Sequence, residues 1–553
     1  MQRPGRAGAL RHLCVIAAVA SAATAGIHAP VARAEDGVAC EALLEMDDLT
    51  ITYARRKPAT QGTPSHCYVR GTLAGSVRFH MQLPERAAWN GRLVNIGDGG
   101  KDGDLDYADH RVAQGYAVAN SNTGHDASAT PGASFARDDR RALIDFAYRA
   151  VHLTANASKA VVRAYYGRPQ QYAYFEGCST GGRQGLMEAQ RFPADFDGIV
   201  AGAPVHDYQV TNITNLWAVR KSFEDGFAGN LAFDTDDDGV PDDLTKWRIV
   251  RDAVLEVCDA ADGIADGLVS DPPSCAFEPS RDLATFMCPA DVDAADCLTA
   301  RQLAAVEDLY RGPYDSRGVQ VGGGMSFGSE YDWDRTIVAH RGNDRWPSRL
   351  RYIADHMNFL FYERSPGEPV PDPRDLAIVP DKTVTPPEFA WWEFDIDDFT
   401  AGEADAMRAI TDATDPDLSR FLLRENGKLL LYHGWADAER MAQPVIDYYD
   451  AVVARTFAGD TERARGAVRL FMVPGMGHCE GGPGLSEWDR LAPLAAWVEQ
   501  GAVPEHIVAE HRTDGRVDNQ GRICPYPSQA VYVGPPRRAN DPTSWVESNF
   551  ECR

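Results

Sequence analysis

The sequence predicts an α/β architecture: a mostly parallel sheet with helices on both faces, interrupted by one large insertion. Three observations carry this reading. Short apolar runs of strand length alternate with segments of helical period through the first third of the chain. The same alternation resumes near the C-terminal end, and the regularity breaks between about residues 205 and 425, where acidic runs, Pro-rich stretches, scattered Trp and four Cys take its place. Strands covered on both faces read as near-continuous apolar runs, and that is what the regular parts show.

Arg92–Ile96 is the first strand and runs into Gly97-Asp98-Gly99-Gly100. Tyr116–Ala119 is a second. Arg140–Tyr165 has helical spacing, with Leu143, Phe146, Ala147, Ala150, Val151 and Leu153 on one side. Gln171–Glu176 is a third strand ending at Gly177, and Gly182–Gln190 is a helix stopped near Phe192-Pro193. Ile199–Ala201 is a short strand before Gly202-Ala203-Pro204. After the insertion, Lys428–Tyr432 and Val468–Val473 are buried strands and Leu491–Glu499 a helix. The expected organisation is therefore 35–204 with 425–553 as one α/β domain, and 205–424 as a domain inserted over the sheet, where loops after parallel strands gather.

The chain has 553 residues, 44% hydrophobic and 25% charged, with a formal charge of -26. An excess of acid this large is repelled by phosphate backbones and anionic lipid, so nucleic acid and membrane surfaces are poor partners for it. Residues 1–34 read as a signal peptide: Arg3, Arg6 and Arg11, then a small-apolar run over 13–27, then Ala32-Arg33-Ala34 as a cleavage site. No later stretch reaches membrane-spanning length. An exported protein, periplasmic or extracellular, is expected.

Losing Cys14 with that segment leaves ten of the eleven cysteines, an even number in an oxidising compartment. Ten permit many connectivities, and the sequence does not choose among them. Proximity favours four local staples, Cys40/Cys67, Cys258/Cys275, Cys288/Cys297 and Cys524/Cys552, with Cys178 and Cys479 left over.

Gly177-Cys178-Ser179-Thr180-Gly181 fits G-x-S-x-G between an expected strand and an expected helix. That context suits a sharp turn lifting a Ser hydroxyl above a sheet, the nucleophile elbow of α/β-hydrolases. A Ser hydroxyl needs a base to take its proton, and the base needs an acid to fix its tautomer. In this fold the partners follow in the order Ser, acid, His. Lys428–Tyr432 runs into His433-Gly434-Trp435-Ala436-Asp437, and Val468–Val473 into Pro474-Gly475-Met476-Gly477-His478. Ser179, Asp437 and His478 are thus the expected catalytic set. The leftover cysteines flank it. A disulfide between Cys178 and Cys479 would tie Ser179 to His478 across about 300 residues, a loop closure of roughly 5 kcal/mol in the chain-entropy model. Two alternatives stand beside it: two unrelated buried cysteines, or Cys178 as a thiol nucleophile. The exported location and the Gly-flanked Ser weigh against the thiol.

Cys178-Ser179, Asp437 and His478-Cys479 resemble the CS-D-HC arrangement of the tannase and feruloyl esterase family, which also holds terephthalate-monoester hydrolases. The resemblance extends over Trp89-Asn90-Gly91-Arg92, Gly124-His125-Asp126, Gly177 to Pro204, Tyr432-His433-Gly434, Val473-Pro474-Gly475-Met476 and Gly481-Gly482-Pro483-Gly484. It implies an α/β-hydrolase domain with an inserted lid, and disulfides 40–67, 178–479, 258–275, 288–297 and 524–552. It implies hydrolysis of hydroxycinnamic or gallic acid esters through an acyl-enzyme on Ser179, with small aromatic esters as the partner molecules. The elbow itself supplies the Thr180 N–H as an oxyanion donor, and similarity places a second at Gly100.

Asp259, Asp262 and Asp266 share an acidic loop with Gly263 and Gly267. Three carboxylates plus carbonyls suit the hard oxygen shell of calcium, and the resemblance supplies those carbonyls from Ile264 and Leu268, as a structural site. A solvated acidic loop is the alternative. A second acidic stretch, Asp234 to Gly239, opens like an EF-hand loop but has Thr245 where the bidentate Glu belongs, and is not counted as a site. Trp333, Phe359, Trp391, Trp392 and Phe394 either wall an aromatic pocket or form the core of the insertion. The lid shows no counterpart of the Arg and Ser pair that holds a substrate carboxylate in the terephthalate enzymes, which counts against a terephthalate monoester as substrate.

Overall fold

The computed structural model describes residues 37–130, 132–343, 347–361 and 394–553. The expected signal peptide, Trp391 and Trp392 lie outside the described residues. Nine strands form the main sheet: β1 Thr50–Lys57, β2 His66–Thr72, β3 Arg78–Pro84, β4 Arg92–Ile96, β5 Ala117–Ser121, β6 Tyr172–Cys178, β7 Gly198–Gly202, β8 Lys428–Gly434 and β9 Val468–Val473. Their order is β1-β2-β3-β5-β4-β6-β7-β8-β9. From β5 to β9 every pair is parallel; β1, β2 and β3 add an antiparallel extension.

β4 and β9 coincide with the expected runs and β5 to β8 match them to within one or two residues at each end, and their period of two explains why they are apolar throughout. In β8, Leu429 and Leu431 enter the core on one face while Leu430 and Tyr432 enter the core on the other. In β9, Val468, Leu470 and Met472 take the first face and Phe471 and Val473 the second. The antiparallel extension was not expected from the sequence. β1 buries only Ile51 and Ala54 fully and shows Arg and Lys outward, so it has the period of an edge strand without the apolar run.

The expected helix Arg140–Tyr165 is in three parts: helical Arg140–Ile144, a widened π turn over Asp145–Arg149, and α1, Ala150–Tyr166. The reason lies in a distant residue. Buried Arg183 donates to the carbonyls of Ala147 and Phe146, which the widened turn makes available. The helix after the elbow is α2, Thr180–Arg191.

Between β7 and β8 no strand joins the main sheet among the described residues. The stretch is built from helices, the longer being α3 Tyr208–Phe227, α4 Thr245–Cys258, α5 Ala300–Arg311 and α6 Ser348–His356. It has a core of its own around Trp247, Val250, Leu298, Val306 and Trp333. Trp333 and Phe394 are buried within such cores, and Phe359 packs at the junction with Phe135 and Phe146, so none of the three walls an open pocket. The end of the stretch behaves differently: Ala413, Leu418, Phe421 and Leu422 pack into the core of the main sheet. Two helices, α7 Gln443–Phe457 and α8 Leu491–Gln500, cover opposite faces of that sheet.

All five expected disulfides are present: Cys40–Cys67, Cys178–Cys479, Cys258–Cys275, Cys288–Cys297 and Cys524–Cys552.

Candidate active site

Ser179 lies between the end of β6 and the start of α2 with φ 62° and ψ -119°, a conformation that L-residues adopt only when the surroundings compel it. The glycines on either side make room. A Cβ on Gly177 would stand 2.7 Å from the carbonyl carbon of Gly181, and one on Gly181 would stand 3.0 Å from the Asp98 carbonyl oxygen. The Ser179 N–H donates to Gly202 at 2.9 Å and the Ser179 carbonyl accepts from Val205 at 3.2 Å, so β7 and its loop fix the turn.

The three residues expected to act together meet. His478 Nε2 is 2.9 Å from Ser179 Oγ, and His478 Nδ1 is 2.7 Å from Asp437 Oδ2. Asp437 Oδ1 accepts the backbone N–H groups of Glu439 and Arg440, each at 2.8 Å. Burial opposes ionisation of Asp437, but the charge and hydrogen bond of His478, with His433 and Arg440 behind them, hold its carboxyl far below the ordinary range. The carboxylate is therefore anionic at neutral pH and holds the imidazole with Nδ1–H toward it, leaving Nε2 to accept from the Ser hydroxyl.

The loops carrying Asp437 and His478 are laced together. Trp435 N–H donates to Val473 and Ala436 N–H to Met476, and a Cβ on Gly434 would collide with the Met476 carbonyl at 2.1 Å. On the far side of His478, the Cys178–Cys479 bond joins the residue before Ser179 to the residue after His478, with Cα atoms 5.9 Å apart. Arg490 donates to the Cys479 carbonyl at 2.8 Å. Behind β6, Arg111 bridges Glu176 and Asp489 with bonds of 2.7 to 2.9 Å. The alternative of a free Cys178 thiol is excluded by the disulfide.

The Gly97–Gly100 loop lies against the elbow. Gln184 of α2 accepts from the Asp98 N–H at 3.0 Å, and Thr180 Oγ1 donates to the Gly100 carbonyl at 2.6 Å. Gly100 is in the left-handed region at φ 60°. Thr180 and Gly100 are thus side by side next to Ser179.

Four residues near this site had no signal in the sequence. Tyr352 of α6 lies over Lys101, whose ammonium is 4.0 Å from the ring centre and donates to the Tyr352 carbonyl. The Arg440 guanidinium is 5.2 Å from the same ring. Arg349, one turn earlier on α6, is buried, and none of its three guanidinium nitrogens has a hydrogen-bond partner among the described residues. Burial and the nearby Arg440 charge bring it down to about 9. These residues come from the insertion and from loops, and only the fold brings them to Ser179.

The two acidic loops differ from expectation in geometry. Side-chain ligand atoms converge within 4.8 Å in two groups among the described residues, His152–Glu188–Asp195 and Asp234–Asp236–Asp238, and Asp259, Asp262 and Asp266 are not a third. Asp259 caps the N–H groups of Asp266 and Gly267, Asp262 that of Ile264, and Asp266 that of Leu268. Burial, with Asp262 and Asp259 close by, raises Asp266 to about 8, and burial raises Asp262 as well. A cation would relieve that crowding, so the residues fit one. In the other loop Arg341 already serves as counterion, 3.3 Å from Asp236 and 3.1 Å from Asp238.

A mostly parallel sheet with an elbow Ser, a His and an Asp at successive strand ends defines the α/β-hydrolase class. Residues 62–541 match the family model described as tannase and feruloyl esterase, and the chain belongs to that family; it is a carboxylic ester hydrolase. It is 32% identical to the mono(2-hydroxyethyl) terephthalate hydrolase of Piscinibacter sakaiensis, over 90% of this chain and 86% of that one. It is 29% identical to a probable feruloyl esterase B-1 of Aspergillus fumigatus, over 86% and 84%. The crystal structure of feruloyl esterase B from Aspergillus oryzae superposes with a TM-score of 0.73 at 24% identity, over 93% of this chain and 98% of that one. Tannin acyl hydrolase from Aspergillus niger gives 0.68 at 21%, over 92% and 90%. At those identities the two structures establish the fold.

Proposed function

We propose that this chain is an exported serine esterase of hydroxycinnamic or gallic acid esters, working through an acyl-enzyme on Ser179. The observation that carries it is the hydrogen-bonded chain Ser179–His478–Asp437. His478 Nε2 takes the hydroxyl proton as Ser179 Oγ attacks the ester carbonyl. The Thr180 and Gly100 N–H groups receive the developing oxyanion, each worth a few kcal/mol of barrier. The tetrahedral intermediate collapses, and the alcohol leaves with the proton from His478. Water, deprotonated by the same nitrogen, then releases the acid and restores the hydroxyl. Residues from 205 to about 412 act as a lid domain over this site, the rest of the expected insertion packing into the sheet core, and residues 1–34 act as the export signal, in keeping with five disulfides that need an oxidising compartment.

Calcium is proposed at Asp259, Asp262 and Asp266, with the carbonyls of Ile264 and Leu268. Its role there is to neutralise three carboxylates and fix the loop; the ester chemistry has no need of it.

A second reading has one observation in its favour. The three unpartnered, buried guanidinium nitrogens of Arg349, with Arg440 Nε beside them, lie close to Asp437, which suits an acid part carrying a second carboxylate, as in a terephthalate monoester. A panel of methyl ferulate, methyl gallate and mono(2-hydroxyethyl) terephthalate, run on the wild type beside Ser179→Ala, tests both readings. Preference for ferulate or gallate supports the first and preference for the terephthalate monoester the second. Undiminished turnover in Ser179→Ala removes the mechanism.

A further inference from the structure

Away from Ser179, a second constellation lies at the far end of α2. His152 of α1, Glu188 of α2 and Asp195 in the turn beyond it each bring one ligand atom within 4.8 Å of the other two. Glu188 is the informative member. It is 1% exposed, and neither carboxyl oxygen has a hydrogen-bond partner among the described residues. An unsatisfied carboxyl in the core costs several kcal/mol as an ion and somewhat less when neutral. The acid beside it is Asp195, and two buried acids come together only around a shared proton or a cation.

The neighbours point to which of the two it is. Asp195 is buried, with His152 Nδ1 2.6 Å from Oδ2 and Lys159 Nζ 3.8 Å from Oδ1. The imidazole is stacked on Phe192, ring centres 3.9 Å apart, and Asn156 Nδ2 donates to the His152 carbonyl at 3.0 Å. The stack on Phe192 and the contact with Asp195 hold the ring with Nδ1 toward the two carboxyls. The His152 side chain is 30% exposed, so the cluster has a route to solvent on that side.

We propose that His152, Glu188 and Asp195 form a binding site for a divalent transition-metal ion of the zinc type, distinct from the acidic loops of the insertion. Nδ1 and one oxygen from each carboxylate supply three ligands, and water on the exposed side completes four-coordination. The imidazole selects against calcium and magnesium, which take oxygen shells. Two carboxylates neutralise the ion, and Lys159, itself 25% exposed, turns outward as it enters. The ion gives Glu188 the partner it lacks. It also pins α1, α2 and the turn after α2 to one point, which makes it a clamp on the helix that begins at Ser179.

The full chain, stripped with EDTA and returned to calcium to fill oxygen-ligand sites, is titrated with Zn²⁺ by calorimetry and with Co²⁺ by visible absorption. The expected result is one equivalent of Zn²⁺, a tetrahedral cobalt spectrum, and a rise in melting temperature on zinc. All three are lost in Glu188→Gln and in His152→Gln, with far-UV circular dichroism checking the fold. Should Glu188→Gln not fold, His152→Gln at its partly exposed position decides alone. A wild type that takes up no zinc, or variants that bind it as the wild type does, overturns the site and leaves Glu188 and Asp195 as a carboxyl pair sharing a proton.

Discussion

Replacing Asp437 by Asn tests the triad geometry, because the surroundings of the carboxylate dictate how the amide sits. Oδ1 accepts two backbone N–H groups, from Glu439 and Arg440. An amide nitrogen there would face two donors, so Asn places its oxygen on that side and turns its NH₂ toward His478 Nδ1. The imidazole then accepts at Nδ1 and carries its proton on Nε2, facing Ser179 with a donor where the reaction needs an acceptor. The imidazolium formed during attack also loses its anion. Two unit charges ~4 Å apart at an effective dielectric of ~20 interact by ~4 kcal/mol, or about three orders of magnitude in rate, and the wrong tautomer adds about another. The fall expected in kcat is about 10⁴-fold, or ~5.5 kcal/mol at 1.36 kcal/mol per tenfold. Initial rates on methyl ferulate at saturating substrate measure it, with circular dichroism confirming the fold. A loss of less than about tenfold would refute the role given to Asp437.

Three further outcomes follow from the same geometry. Cys178→Ser/Cys479→Ser lowers the melting temperature in calorimetry, with roughly 5 kcal/mol as the upper bound of the chain-entropy model. It also lowers kcat by about 10²-fold, the effect of a 1 Å displacement between reacting groups; an unchanged kcat would reduce the bond to a plain staple. Gly177→Ala places a Cβ 2.7 Å from the Gly181 backbone, so about 1–3 kcal/mol of stability is lost in urea unfolding together with elbow geometry and activity. Asp266, raised to about 8 from the ordinary carboxylate range, gives a signed pH dependence. Between about pH 4 and 8 the folded state binds more protons than the unfolded one, so without calcium stability falls as pH rises through that window. Melting curves in EDTA should show that fall. Added calcium or Asp266→Asn should flatten it; identical curves with and without calcium would remove the calcium proposal.

Which features were legible in the sequence depends on whether they are local. Ser179, Asp437 and His478 could be found because each follows directly from an apolar run, and the runs at 428–432 and 468–473 are strands buried on both faces. The disulfide next to the site could be anticipated because its cysteines are immediate neighbours of Ser179 and His478. Of the antiparallel strands, β1 escaped notice because it is an edge strand with polar residues outward, and β2 and β3 because buried His66, His80 and Gln82 interrupt their apolar runs. The hairpin of Ile507–Thr513 and Arg516–Ile523 did carry a usable sign, since Asp514-Gly515 both have positive φ, as a tight two-residue turn requires. The π turn at Asp145–Arg149 had no local sign: its cause, Arg183, is more than 30 residues away. Tyr352, Arg349 and Lys101 near the site, and Glu188 beside His152, are likewise products of packing between distant segments.

The claim on which the rest depends is that Ser179 carries the acyl group during turnover. Quenching the enzyme with acid during hydrolysis of a feruloyl ester, then mapping peptides by mass spectrometry, tests it directly. A feruloyl mass increase is expected on the peptide containing Ser179 and none in Ser179→Ala. An acyl group on another residue, or full activity retained by Ser179→Ala, would contradict it.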